Sequence, residues 1–274
     1  MKARTLSAAI LLPIVITVLV IGHWPFALFL ALATGLACGE YVAMLRRSGY
    51  TLALPLTLAI NWLWLADAYQ PLDAWLPHGM AAISLLTAAW ALYRRQRHPD
   101  DGNFTAQWAL TLAGGLYIGL GGAYIYQLRA MPEGLWWMLT ALPIVWVSES
   151  AAYFVGRRYG RHKIAPHISP GKSWEGYAGE VIAGIVTGLL LGGFMPRFAG
   201  VTLSVNMWKG GILGLVIATI TTAGDFFISM IKREVGIKDT GALIPGHGGV
   251  LDRIDSLLWT GILAFAIAQW LWYL

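Results

Sequence analysis

A chain of 274 residues that is 57% hydrophobic, only 12% charged and of mean hydropathy +0.62 lies outside the range of soluble globular domains. It reads as an all-α, polytopic integral membrane protein. Lys and Arg number 19 against 14 Asp and Glu, a net charge of +5, and the single Cys38 excludes an intramolecular disulfide framework.

At about 20 apolar residues per crossing, nine spans are predicted, centred near Ile14, Leu32, Leu58, Leu85, Tyr117, Leu142, Val186, Val216 and Phe265. The first follows Lys2 and Arg4 as a signal peptide would. No small-x-small cleavage site comes after it, and Gly22-His23-Trp24-Pro25 turns directly into the next span, so it reads as a retained helix. Basic residues near helix ends set orientation. With the N-terminus in the cytoplasm, sixteen of the 19 Lys and Arg fall on that side, and only Arg129, Arg197 and Lys209 fall on the other. This predicts an N-in, C-out chain, with both charge-rich loops, 156–176 and 232–253, facing the cytoplasm.

Texture changes near residue 130. Residues 1–130 have short loops and read as lipid-facing, packing helices; residues 131–274 hold the polar spans and both charged loops, and are the expected catalytic region. Gly115 and Gly119, Gly184, Gly188 and Gly192, and Gly210 and Gly214 recur every four residues, a spacing that lets helices approach closely in lipid. Packing within the chain is the favoured use, a homodimer interface the alternative.

The loop 156–176 carries five basic residues against Glu175 and is net +4, which suits phosphates or lipid headgroups. Gly171-Lys172-Ser173 looks like the end of a P-loop, but Pro166 stands where that motif needs Gly and no strand is predicted before it, so a P-loop is excluded. Topology and anionic lipid explain the charge of the loop. They do not explain Ser169-Pro170-Gly171-Lys172-Ser173-Trp174-Glu175-Gly176.

Asp225 lies inside the eighth span, where a bare carboxylate costs at least a few kcal/mol unless paired or metal-bound. Asp225, Ser229 and Lys232, at i, i+4 and i+7, share one helix face. The plain alternative is an Asp–Lys pair that only joins two helices. Asp252 and Asp255 open the last helix, where either alone could serve as a cap. Over 232–255 the bases Lys232, Arg233, Lys238 and Arg253 are balanced by Glu234, Asp239, Asp252 and Asp255, and Asp225 tips the sum negative. Five carboxylates in a phosphate-binding region call for a divalent cation, expected to be Mg²⁺ on one or two carboxylates plus phosphate oxygens, with one ion or two left open. His247, Gly248 and Gly249 form a tight turn that allows close backbone approach to a ligand.

These residues resemble the phosphatidate cytidylyltransferases, also called CDP-diacylglycerol synthases. The family pattern is matched by Ser229, Lys232, Arg233, Lys238, Asp239, Gly241, Ile244, Pro245, His247, Gly248, Gly249, Asp252, Arg253 and Asp255, all within 27 residues. A second family region resembles Ser148 to Gly176, with Glu149 where Asp is usual; the extra methylene moves the charge by about 1.5 Å. The resemblance implies that CTP and phosphatidic acid give CDP-diacylglycerol and pyrophosphate, a step of phospholipid biosynthesis. It places metal-binding carboxylates at Asp225 and Asp252, with Glu149 left open, and phosphate contacts at Lys172, Lys232, Arg233, Lys238 and Arg253. Asp239, Asp255 and His247 become supports, and Ser169, Ser173, Glu175, Ser229, Gly248 and Gly249 join Lys172 in binding substrate. CTP, the lipid substrate and the bilayer are the expected partners; no nucleic acid is. Two rivals are a CTP-dependent lipid-alcohol kinase, which would release CDP, and a transporter, whose polar residues would meet at the midplane of paired repeats.

Overall fold

The computed structural model describes residues 2–243 and 248–272. Its elements, in chain order, are α1 (Lys2–Ile21), α2 (His23–Arg46), α3 (Leu54–Tyr69), α4 (Trp75–Arg97), a single 3-10 turn at Pro99–Asp101, α5 (Phe104–Ala130), α6 (Gly134–Tyr159), β1 (Lys163–Ala165), β2 (Ser169–Ser173), α7 (Trp174–Ala199), α8 (Met207–Ile220), α9 (Thr222–Glu234) and α10 (Leu251–Trp272). Among the described residues, seven segments are long and apolar enough to cross a membrane: α2, α4, α5, α6, α7, α10 and the run Met207–Glu234 that joins α8 to α9. The protein is an integral membrane protein. Of the nine expected spans, α3, at 16 residues, falls short of a crossing by length, and α1, 20 residues long, is not among the seven. Large apolar side chains lie on the outside, with Trp75 76% and Leu190 67% exposed, as lipid-facing residues must be.

The helical expectation also meets an exception. The loop after α6 contains an antiparallel hairpin, Lys163 opposite Ser173 and Ala165 opposite Ser169, with an irregularity between the pairs. Gly171-Lys172-Ser173 therefore lies on a strand. The hairpin gives its backbone groups partners without a helix, and it leads straight into α7.

Packing divides the chain into two compact units. The first combines residues 1–126 with 234–254, so the charged loop before α10 packs with the N-terminal helices; the second combines 127–233 with 255–274. Within the first unit, α5 lies on α3 through its glycines: a Cβ on Gly119 would stand 2.8 Å from Asn61 Cα. Asn61 Nδ2 donates to Thr34 Oγ1 at 3.1 Å, and Trp108 Nε1 to Thr87 Oγ1 at 3.1 Å, satisfying donors where no water competes. Within the second unit, Gly184, Gly188 and Gly192 of α7 face Gly210 and Gly214 of α8, and a side chain on any of the five would strike backbone of the opposite helix. The four-residue glycine spacing thus brings two helices of one chain into backbone contact. Lys209, buried at the start of α8, donates to the Leu271 carbonyl at the end of α10 at 2.6 Å, a cation at a helix C-terminus.

Candidate active site

In the second unit the membrane-crossing run Met207–Glu234 breaks at Thr221. The hydroxyls of Thr219 and Thr221 fold back onto the carbonyls of Leu215 and Ile217, each at 2.7 Å, a bonding that bends helices. The break places Asp225 in the first turn of α9, where the positive end of the helix offsets part of the cost of a carboxylate. Asp225 Oδ2 pairs with Lys172 Nζ at 2.8 Å, and Ser229 Oγ donates to Asp225 Oδ1 at 3.3 Å. An Asp–Lys pair does form at Asp225, but it is only partly buried and its lysine comes from β2, 53 residues away in sequence, so it joins a strand to a helix.

The hairpin carries that lysine. Strand alternation leaves Ser173 2% exposed, where its hydroxyl accepts the Gly176 N–H at 3.2 Å and caps α7. Lys172 lies over the Phe226 ring at 4.9 Å. Burial by itself pulls the Lys172 ammonium down, but the charge and hydrogen bond of Asp225, with Glu180 and Glu149 behind it, outweigh burial and hold the group above the ordinary lysine value of 10.5. Glu175 accepts from the backbone N–H groups of Arg161 and His162 at 3.1 and 3.3 Å, and meets His162 Nδ1 at 2.6 Å, so it fastens the loop to the start of α7. Arg233 Nε donates to the Ile168 carbonyl at 3.2 Å, tying the end of α9 to the hairpin turn, and Ser169 begins β2.

Around Asp225 the second unit gathers further charge. Asp255, 6% exposed, accepts the Ser256 N–H at 2.7 Å and lies within electrostatic reach of Asp225, Lys232 and Glu149. Lys232 is buried. Glu180, which the sequence reading passed over, is 2% exposed on α7 and accepts from Thr222 Oγ1 at 2.7 Å. It was legible in principle as a lone ionisable residue inside an apolar span. Four carboxyl groups, Glu149, Glu180, Asp225 and Asp255, thus share this region with Lys172 and Lys232.

In the first unit, Asp252 occupies the first turn of α10. Its Oδ2 accepts from the Thr240 N–H at 2.8 Å, Thr240 Oγ1 at 3.0 Å and the Gly249 N–H at 3.0 Å. Gly248 has φ +83, a left-handed backbone suited to glycine, and a Cβ there would come within 3.0 Å of Asp252 Oδ2. Lys238, Asp239 and Arg253 are exposed. His247, with Ile244 and Pro245 of the same pattern, lies outside the described residues.

Among the described residues no group of three or more His, Cys, Asp or Glu side chains is placed to hold a metal. The chemistry of the donors still fits Mg²⁺: Asp225 and Asp252 offer hard carboxylate oxygens, and Asp252 is oriented by the Thr240 and Gly249 amides.

The chain matches the cytidylyltransferase family over residues 2–271. It is 32% identical to the phosphatidate cytidylyltransferase of Mycobacterium tuberculosis strain H37Rv over 98% of this chain and 82% of that protein. It is 33% identical to the Staphylococcus epidermidis (strain ATCC 12228) protein of the same name over 94% of this chain and 95% of the other. To the Haemophilus influenzae protein of that name it is 49% identical, over 46% of this chain and 43% of the relative. A match that runs through both units and both charged loops leaves one assignment: the chain belongs to the cytidylyltransferase family, among the phosphatidate cytidylyltransferases.

Proposed function

We propose that this protein transfers the cytidylyl group of CTP to phosphatidic acid, giving CDP-diacylglycerol and pyrophosphate. The observation that carries this reading is the near-full-length similarity to relatives named for that activity. In the reaction, a phosphate oxygen of the lipid attacks the α-phosphorus of CTP, and the bond from that phosphorus to the oxygen bridging to the β-phosphate breaks. A phosphate monoester has its second pKa near 6, so the lipid phosphate is largely dianionic at cytoplasmic pH and needs little help from a base. The obstacle is repulsion between two anions. Positioning and charge neutralisation are the work left to the protein.

Asp225 and Asp252 are the carboxylates we assign to Mg²⁺. Mg²⁺, as one ion or two, would neutralise triphosphate charge and stabilise departing pyrophosphate. Lys172 is oriented by Asp225 and backed by the Phe226 ring, so its remaining N–H groups have a defined direction for a phosphate. Lys232, Arg233, Lys238 and Arg253 are assigned to further phosphate oxygens, with Asp239, Asp255 and His247 as supports. The bias of basic residues supports N-in, C-out insertion in the inner membrane with the chemistry on the cytoplasmic side, where CTP is available.

Purified protein incubated with CTP, phosphatidic acid and Mg²⁺ should yield CDP-diacylglycerol and pyrophosphate in equal amounts. Release of CDP with a newly phosphorylated lipid would instead identify a lipid-alcohol kinase and overturn the proposal.

A further inference from the structure

Glu40 sits on α2, in the region expected only to pack, and is 6% exposed. Its carboxylate reaches the charged loop and the start of α10, about 200 residues further along the chain. Oε1 accepts the Val250 N–H at 2.9 Å, and Oε2 accepts the Leu251 N–H at 2.8 Å and lies 3.1 Å from Thr240 Oγ1. The same Thr240 hydroxyl lies 3.0 Å from Asp252 Oδ2. Lying between the two carboxylates with one proton to give, it donates to one of them at a time and so couples their positions. Two glycines make room for this: a Cβ on Gly241 would stand 2.6 Å from Glu40 Oε1, and one on Gly249 would collide with Glu40 and Thr240. Gly249, which the sequence suggests is there for close approach to a ligand, is required here by a carboxylate of the protein itself.

A helix cap alone needs one acceptor and can come from a neighbouring residue. Here a carboxylate is kept inside an apolar span, where ionisable groups are costly, to reach the turn that carries Asp252. We propose that Glu40 is a positioning residue for catalysis: through the Val250 and Leu251 amides and the Thr240 hydroxyl it holds the loop so that Asp252 keeps one orientation. This rests on the assignment of Asp252 to the reaction made above. Groups that orient a metal-binding side chain commonly contribute about 10- to 100-fold in activity or metal affinity.

The test uses the full-length protein in detergent. Glu40→Gln keeps the volume but offers one acceptor where the carboxylate offers two; Thr240→Val keeps the shape and the Glu40 bonds to both amides but removes the bridging hydroxyl. Amide hydrogen exchange in Glu40→Gln should speed roughly tenfold at Val250 or Leu251. Both variants should lose about 10- to 100-fold in kcat with little change in KM for CTP, and Thr240→Val should keep a melting temperature close to that of the wild type. A residue serving only as a cap would lower the melting temperature and leave kcat of the folded protein alone. Wild-type kcat in Thr240→Val, or unchanged exchange at both amides in Glu40→Gln, overturns the proposal. An inactive wild-type protein fails the functional reading and this proposal with it, whereas an active wild type with unaltered variants fails this proposal alone.

Discussion

The Lys172–Asp225 pair separates a structural tie from a working site, because each reading predicts a different double mutant. At 2.8 Å, two unit charges in an effective dielectric of about 20 attract by roughly 6 kcal/mol before any desolvation cost. The two side chains are 27% and 28% exposed, between the surface pairs worth up to about 1 kcal/mol and the buried pairs whose disruption costs about 3–5 kcal/mol. Lys172→Met, which keeps the stem over Phe226, and Asp225→Asn, which keeps the Ser229 contact, should each destabilise by about 2 kcal/mol, with a coupling of roughly 1–2 kcal/mol in the double variant. At about 2–4 °C per kcal/mol for a chain of this size, each single variant should melt roughly 4–8 °C lower in detergent, and the double variant roughly 4–12 °C lower, short of the roughly 8–16 °C that two independent losses would give. Synthesis of CDP-diacylglycerol should be lost in all three, since the double variant restores charge balance but no ligand. A coupling below about 0.3 kcal/mol would refute the ion pair. Recovery of activity together with stability in the double variant would refute any role for the pair beyond joining β2 to α9.

The pH dependence of the same pair follows from the raised Lys172 value. A group whose folded value lies above its ordinary 10.5 contributes fully below 10.5 and loses that contribution as pH rises through the folded value. The melting difference between wild type and Lys172→Met should therefore stay level from about pH 8 to 10 and shrink only above that; a steady decline through pH 8 to 9 would refute the assignment. On α7, Gly188→Ala would drive a Cβ into the Gly210 carbonyl, which as backbone cannot turn aside, and should cost about 1–3 kcal/mol. Gly193→Ala, five residues on, meets only Met207 Cβ at 3.7 Å and should gain up to about 1 kcal/mol from better helix propensity. Equal melting shifts in the two variants would refute the backbone contact between α7 and α8.

The motif residues were readable one by one because their chemistry is local: Asp225 stands out as a carboxylate in an apolar span, and Ser229 follows it by one helical turn. Which lysine answers Asp225 was not readable. Lys172 and Lys232 carry the same charge, and only the turn of the hairpin and the break at Thr221 decide that Lys172 reaches Oδ2. Glu180 and Glu40 were missed because each is a single residue without a motif, although the cost of burying a carboxyl group in a span marks both. The hairpin was missed because strands of three and five residues carry too little alternation to register.

Composition and spacing alone determined that this chain lives in a membrane, where its charge is concentrated, and which family its loops resemble, because hydropathy and motif order are properties of consecutive residues. Tertiary structure decided that residues 234–254 pack with the N-terminal helices and that Glu40 accepts the Val250 and Leu251 amides beside Asp252. Those outcomes depend on which distant backbone groups a buried carboxylate can satisfy, and that is settled only when the chain has folded.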